Sequence, residues 1–185
     1  MAGINDTVFR SLCVENGALL TYTEMVSSKA LSYDNPRTEG LLELAQNEKQ
    51  VVVQLFGHEP ETMATEAKRI EERLGDKLAY IDINMGCPAR KITKKGDGSA
   101  LLKDASLSKR IVEECNKSCN SPITVKIRKG YNEGEDASLY FAKAMEEADA
   151  SAVTIHARTA QQFYKGSADL SAGKKLVDYL DIPVI

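Results

Sequence analysis

No apolar run in the 185 residues approaches the ~20 needed to cross a bilayer, and no basic-then-apolar leader precedes Phe9. Both absences point to a soluble, cytoplasmic chain with no membrane partner. No Cys-x-x-Cys pair occurs, and histidine is confined to His58 and His156. A zinc cage lacks its ligands, so no metal site is expected. Cys13 and Cys115 fall on apolar helical stripes, Cys119 ends a helical pattern and Cys87 sits in a Gly/Pro loop. These settings predict reduced thiols rather than two disulfides. Excess charge is missing as well: Lys+Arg 24 against Asp+Glu 27 gives a net charge of -3. Attachment to nucleic acid by bulk charge alone is thereby excluded, while a local basic patch remains open. There is no linker or low-complexity tract, and no second-domain boundary is visible.

What is present is a strand-then-helix alternation in an ordinary globular composition of 43% hydrophobic and 28% charged residues. Short β-branched runs stand at 51–56, 79–84, 123–128, 152–156 and 182–185, with a weaker one near 18–22. The helical patterns between them carry start and stop signals. Asp6 caps a helix expected to bury Phe9, Leu12 and Cys13 before Gly17. Pro60 opens a helix with Met63, Ala67, Ile70 and Leu74 on one face, and Gly75 ends it. Asp104 caps the next, with Leu107, Ile111, Val112 and Cys115 inward. Asp136 opens another over Phe141, Ala144, Met145 and Ala148. Leu176, Val177 and Leu180 fit a last helix.

Repeated βα units imply a parallel sheet, either a closed eightfold barrel or an open doubly wound sheet. Gln54, Asn84, Lys126 and His156 interrupt four different apolar strands at or near their C-terminal ends. Four strands converging on one polar mouth favours the barrel, because an open sheet gathers such residues at a single switch point. A full barrel takes about 250 residues. The expectation is therefore an α/β chain of the (β/α)8 TIM-barrel type, incomplete, with about six of eight strands and a cut at both ends.

The step between strands 79–84 and 123–128 is longer than the others, and its surplus is the loop NMGCPARKITKKGDGSA. Cys87 follows a strand directly, between Gly86 and Pro88, and is either a small residue in a tight turn or a nucleophile or proton donor. A thiol-protease reading would need His156 as partner, without any oxyanion-hole motif. Arg90, Lys91, Lys94 and Lys95 make the loop basic; such runs are often solvated surface, but their proximity to Cys87 suggests an anionic substrate. GDGSA resembles part of a dinucleotide fingerprint, yet no strand runs into it, and the glycines are read as turn residues. Lys126 and Arg128 share one strand face, where they must meet an anion, an electron-rich ring or a carboxylate such as Asp82. His58 follows Gly57 and is read as surface.

These segments, in order, carry a family resemblance. MAGINDTVFR, TEMVSSKAL, VVVQLFG, DINMGCPARK, ALLKD, VKIRKG and HARTAQQFYKGSAD resemble the tRNA-dihydrouridine synthases along the whole of Met1 to Ile185. NMGCP followed by Lys126 and His-x-Arg-Thr is the specific combination; other flavin barrels, such as dihydroorotate dehydrogenases, lack that cysteine segment as a unit. The resemblance implies an eight-stranded barrel with a small C-terminal helical domain that grips tRNA, residues 1–185 covering only part of the barrel. It implies FMN as cofactor, NADPH as its reductant and tRNA uridine as substrate, with no stable protein partner. Cys87 becomes the general acid. Gln54 and Lys126 contact the isoalloxazine ring, and His156 reaches toward the ribityl-phosphate side. Asn84 helps hold the flipped uracil, and Lys91 and Arg158 line the substrate mouth. The family's usual Ala-Pro pair before Met1 is absent, Ala160 stands where Arg often follows, and the glycine-rich loops for FMN phosphate fall beyond Ile185. Weak FMN binding, doubtful activity and edge association are accordingly expected of the isolated chain. Two rivals remain: a nonenzymatic RNA-binding or assembly fragment, and an FMN barrel that reduces a free pyrimidine.

Overall fold

The computed structural model describes residues 2–185. In chain order it forms α1 (Thr7–Glu15), β1 (Thr21–Ser27), α2 (Ser28–Leu31), α3 (Pro36–Glu39), β2 (Val51–Phe56), α4 (Pro60–Leu74) and β3 (Leu78–Met85). There follow the one-turn α5 (Arg90–Thr93), α6 (Ala105–Ser118), β4 (Ile123–Arg128), α7 (Ser138–Glu146), β5 (Ala152–His156) and α8 (Leu170–Tyr179). The five strands are parallel and stand in the order β1-β2-β3-β4-β5, each beside its successor.

That order decides between the two architectures. A doubly wound sheet reverses its strand order partway and carries helices on both faces. Here the order never reverses, and the crossover helices pack on one another in sequence: α4 on α6, α6 on α7, α7 on α8. Right-handed crossovers repeated in one direction place every helix on the same face, as in a barrel wall. The expected sixth strand at 182–185 is only a bridge from Val184 to Val153 beside β5, supported by Ile185 N donating to Val153 O at 3.0 Å. The weak first strand lies at Thr21–Ser27 rather than 18–22, with a register irregularity between Tyr22 and Met25. Its mixed polarity explains the faint signal.

Strand alternation sends Val53, Leu55, Ile81, Ile83, Val125 and Ile127 to the helical side, against Met63, Ala67, Ile70, Ile111, Phe141 and Met145. The helix boundaries follow local chemistry. Pro60 occupies the first turn of α4 and Gly75 closes it at φ +50. Asp104 Oδ1 accepts from Leu107 N at the start of α6, and Asp136 Oδ1 accepts from the Ser138 hydroxyl at the start of α7.

One expected apolar face is corrected. Asp6 does cap α1, but Phe9 is 44% and Leu12 51% exposed, and Cys13 is only half-buried. In α8, Leu176 is buried and Val177 is 62% exposed. The residue that roots α1 is Arg10, 3% exposed, whose Nε lies 2.7 Å from Glu48 Oε1. Its Nη atoms donate to the Asn5 and Glu43 carbonyls. A buried cation spends its donors inward, which turns the apolar side of the helix outward. Burial would raise the Glu48 carboxyl, but Arg10, Thr21 and the Ala45 amide together hold it below its usual value. Removing one partner leaves the other charge buried and unpaired, so Arg10→Ala should cost about 3–5 kcal/mol in chemical denaturation. A change under ~1 kcal/mol, the range of exposed pairs, would show that α1 is anchored otherwise.

Candidate active site

The face of the sheet opposite the helices is polar. Gln54 on β2, Asp82 and Asn84 on β3, Thr124, Lys126 and Arg128 on β4, and Thr154 and His156 on β5 recur at alternate positions. Parallel register aligns them across strands: Gln54 beside Asp82, Asn84 beside Lys126, Lys126 beside Thr154, and Arg128 beside His156. The four expected polar intrusions therefore do share one surface at the C-terminal end of the sheet.

A directed chain of hydrogen bonds organises that surface. Asp82 is fully buried; its Oδ1 accepts from the Thr124 hydroxyl at 2.7 Å and its Oδ2 from Gln54 Nε2 at 2.6 Å. Gln54 Oε1 in turn accepts from Asn84 Nδ2 at 2.9 Å. Asn84 Oδ1 is thus aimed at the following turn, where it accepts from Gly86 N at 3.2 Å and Cys87 N at 2.9 Å. Both Asp82 oxygens accept, so Asp82 fixes the orientation of both amides. Gln54 and Asn84 each keep one N–H for a bound group.

The Cys87 turn is also held from two other sides. Arg128, buried, donates from Nε to Gly86 O at 2.9 Å and from Nη1 to Thr159 O and Phe163 O at 2.9 and 2.7 Å. Ser99 N donates to Cys87 O at 3.0 Å. Between them Gly98, at φ +61, lies so close that a Cβ there would stand 2.7 Å from Cys87 O.

Lys126 makes no hydrogen bond or ion pair among the described residues, so the alternative of a salt bridge to Asp82 is not realised. Burial lowers its proton affinity, the Asp82 charge opposes that shift and Arg128 adds to it. Burial likewise raises the Asp82 carboxyl, against the hydrogen bonds from Gln54 and Thr124. A desolvated ammonium without a counterion fits an anion or an electron-rich ring laid against the sheet. His156 is pushed down to about 4, first by burial and then by Arg128, Lys126 and Arg158. Its Nε2 lies 3.3 Å from Arg158 Nη1, and its ring 6.1 Å from that of Tyr164.

The remaining expected residues fall elsewhere. Arg158 donates to the Lys165 and Gly166 carbonyls, so it shapes the 158–166 loop beside His156. Lys91 is exposed on α5 and lines a separate cavity with His58. Ala160 is buried, with its N–H on Gly130 O. His58, read as surface, has a side chain 40% exposed, and it also has a partner that the sequence did not show: its Nδ1 lies 2.6 Å from Oδ1 of buried Asp97. Sequence reasoning underrated Asp82 and Arg128; alternation with Asn84 and Lys126 was the available signal. All four cysteines are free thiols, and no metal-binding cluster occurs among the described residues. No described helix is long and apolar enough to cross a membrane.

A sequential parallel sheet with a polar C-terminal bowl, an unpaired lysine and a thiol-bearing turn defines an α/β barrel enzyme-like class. The family model for dihydrouridine synthase matches residues 1–185. The chain is 38% identical over 187 residues to the tRNA-dihydrouridine synthase B of Pasteurella multocida, covering 100% of the chain and 55% of that protein. It is 39% identical over 174 residues to a probable tRNA-dihydrouridine synthase of Treponema pallidum, covering 91% of the chain and 51% of the relative. The chain belongs to the dihydrouridine synthase family, a TIM-barrel family, and spans about half the length of these curated relatives.

Two measurements test the site. Asp82→Asn replaces the terminal acceptor with a group that must present N–H to Gln54 or Thr124. It should cost about 1–3 kcal/mol and speed amide exchange at Gly86 and Cys87; unchanged exchange would break the chain at Asn84. For His156, the unfolded imidazole takes a proton near ~6.5 while the folded one resists until about 4. Its contribution is therefore intact above ~6.5 and lost as pH falls toward 4. NMR titration of this two-histidine chain should find the His156 midpoint well below 6, and a midpoint of ~6.5 or higher would contradict the burial argument.

Proposed function

We propose that this chain forms the catalytic wall of an enzyme that reduces uridine in tRNA to 5,6-dihydrouridine, using FMN and NADPH. The carrying observation is the join made by Asn84, which stands beside Lys126 in the sheet and holds the backbone of Cys87 through its own side chain. The unpaired Lys126 ammonium and the spare amide N–H of Gln54 would hold the electron-rich flavin ring. Neutral His156 serves the ribityl-phosphate side, near Arg128 and Arg158. FMN held there and reduced by NADPH would supply hydride chemistry toward C6 of uracil.

The chain's own residues do the rest. The remaining Asn84 amide N–H orients the everted uracil, which must leave its stack to reach the bowl. Cys87 Sγ would give its proton to C5 of the uracil, and the resulting thiolate would be reprotonated by solvent. Arg158 sets the loop at the substrate mouth, and Lys91 contributes positive charge beside it. The relatives' printed names support tRNA as substrate, and a cytoplasmic location follows from that role.

Loss of a positioned general acid is worth about 10²–10⁴-fold. Cys87→Ala should therefore keep the flavin absorbance seen when FMN is titrated into the chain, while dihydrouridine formation in tRNA falls by that factor. Unchanged turnover would remove Cys87 from the mechanism. Colourless protein that still binds tRNA in a salt-sensitive way would replace the enzyme reading with an RNA-binding one.

A further inference from the structure

A second concavity adjoins the bowl. A cavity of ≈ 450 Å³ lies between the C-terminal ends of β1 and β2 and the loop after β3, lined by Ser27, Phe56, His58, Lys91, Lys95 and Asp97 among others. We propose that it is a phosphate subsite for the backbone of the RNA substrate, with His58, Lys91 and Lys95 as its ligating groups. This deepens the reading of tRNA as substrate and rests on it.

Charge is the first argument. Lys91 on α5 and Lys95 in the turn that follows it both line the cavity, and neither has an ion-pair partner among the described residues. The acidic groups at the cavity are already engaged. Glu59 takes both its contacts from Lys29, at 3.1 and 3.0 Å, and accepts from the Thr62 hydroxyl. Asp97 is buried against His58. The two unpaired ammonium groups, Lys91 and Lys95, leave the cavity with an excess of positive charge.

Orientation is the second. Asp97 Oδ1 accepts from His58 Nδ1, which fixes the imidazole; the outward Nε2 donates to a phosphate when the ring carries its second proton, the form that an anion on each side favours. Lysine supplies adaptable point charges suited to phosphate. Arg90 and Lys94, exposed and likewise unpaired among the described residues, continue the positive charge outward along the same loop. A track of cations leading out of a cavity fits a polyanionic strand better than a single phosphate monoester.

Position is the third. Asp97 precedes Gly98, whose backbone packs directly on Cys87, and Ser99 N holds Cys87 O. The cavity and the Cys87 turn therefore share one wall. A phosphate bound at His58 belongs to nucleotides flanking the base presented at Cys87.

The test follows the ring signals of His58 and His156 by NMR in the full 185-residue chain, assigned with His58→Gln. A short single-stranded RNA, NADP+ and inorganic phosphate are titrated separately. RNA should move the His58 signal saturably. Lys91→Ala/Lys95→Ala should weaken RNA binding about tenfold and flatten its log–log salt slope by about 0.7, one phosphate contact on a single strand. The His156 signal and circular dichroism report that the variant is folded. RNA binding with His58 unmoved, or an unchanged salt slope in the folded variant, would overturn the subsite. Tighter perturbation by NADP+ than by RNA would assign the cavity to the dinucleotide and overturn it as well. Dihydrouridine formation is assayed in parallel: turnover with His58 unmoved sinks the subsite alone, whereas RNA-shifted His58 without turnover sinks the catalytic reading alone.

Discussion

One buried carboxylate sets the geometry of the bowl. Asp82 is inaccessible to water and takes hydrogen bonds from β2 through Gln54 and from β4 through Thr124. Because it accepts at both oxygens, the amides that follow have a single consistent orientation. Gln54 turns its oxygen to Asn84, and Asn84 turns its oxygen to the Cys87 turn. A polar network of this kind is stable only when every member is satisfied, and in exchange it permits one arrangement. The thiol's backbone position is thus determined by a residue on the strand below it, not by the loop itself.

The same face explains why Lys126 is left alone. Asp82 sits one strand-alternation lower, with both oxygens engaged by neutral donors, so its charge reaches Lys126 only through space. Arg128 above is occupied with three carbonyls. Lys126 consequently lies between a spent anion and a spent cation, desolvated and unpaired. Stabilising the folded chain would favour pairing or removing it. Its retention here is the kind of local conflict expected at a site shaped for a ligand.

Much of this was legible in the residues. Short, mostly apolar β-branched runs gave β2 through β5, and the caps at Pro60, Gly75 and Asp104 gave the helices between them. Polar residues near strand ends located the bowl. The failures share a cause: they depend on contacts distant in sequence. The α1 stripe of Phe9 and Leu12 looked inward by periodicity, yet Arg10 turns the helix by reaching Glu48, far along the chain. His58 showed no partner in the sequence because Asp97, which it meets, lies in another loop. Arg128 looked like a second ligand-binding cation, but carbonyls of two separate loops claim it. Local pattern reports which face of an element is apolar; it is silent on where a long polar side chain finds its partner.

The bowl divides precision from access. Gln54, Asn84, Lys126 and His156 project from strands, whose neighbours fix them through register and hydrogen bonds. Cys87, Lys91 and His58 stand on loops above, where a large substrate can arrive. What keeps the loop chemistry precise is that the Cys87 turn is tied from three directions: Asn84 from its own strand, Arg128 from β4, and Ser99 with Gly98 from the returning loop. The third tie also carries Asp97 and hence His58. A ligand that fixed His58 would act on the same segment that supports Cys87, because only Asp97 and Gly98 separate the imidazole's partner from the Cys87 turn.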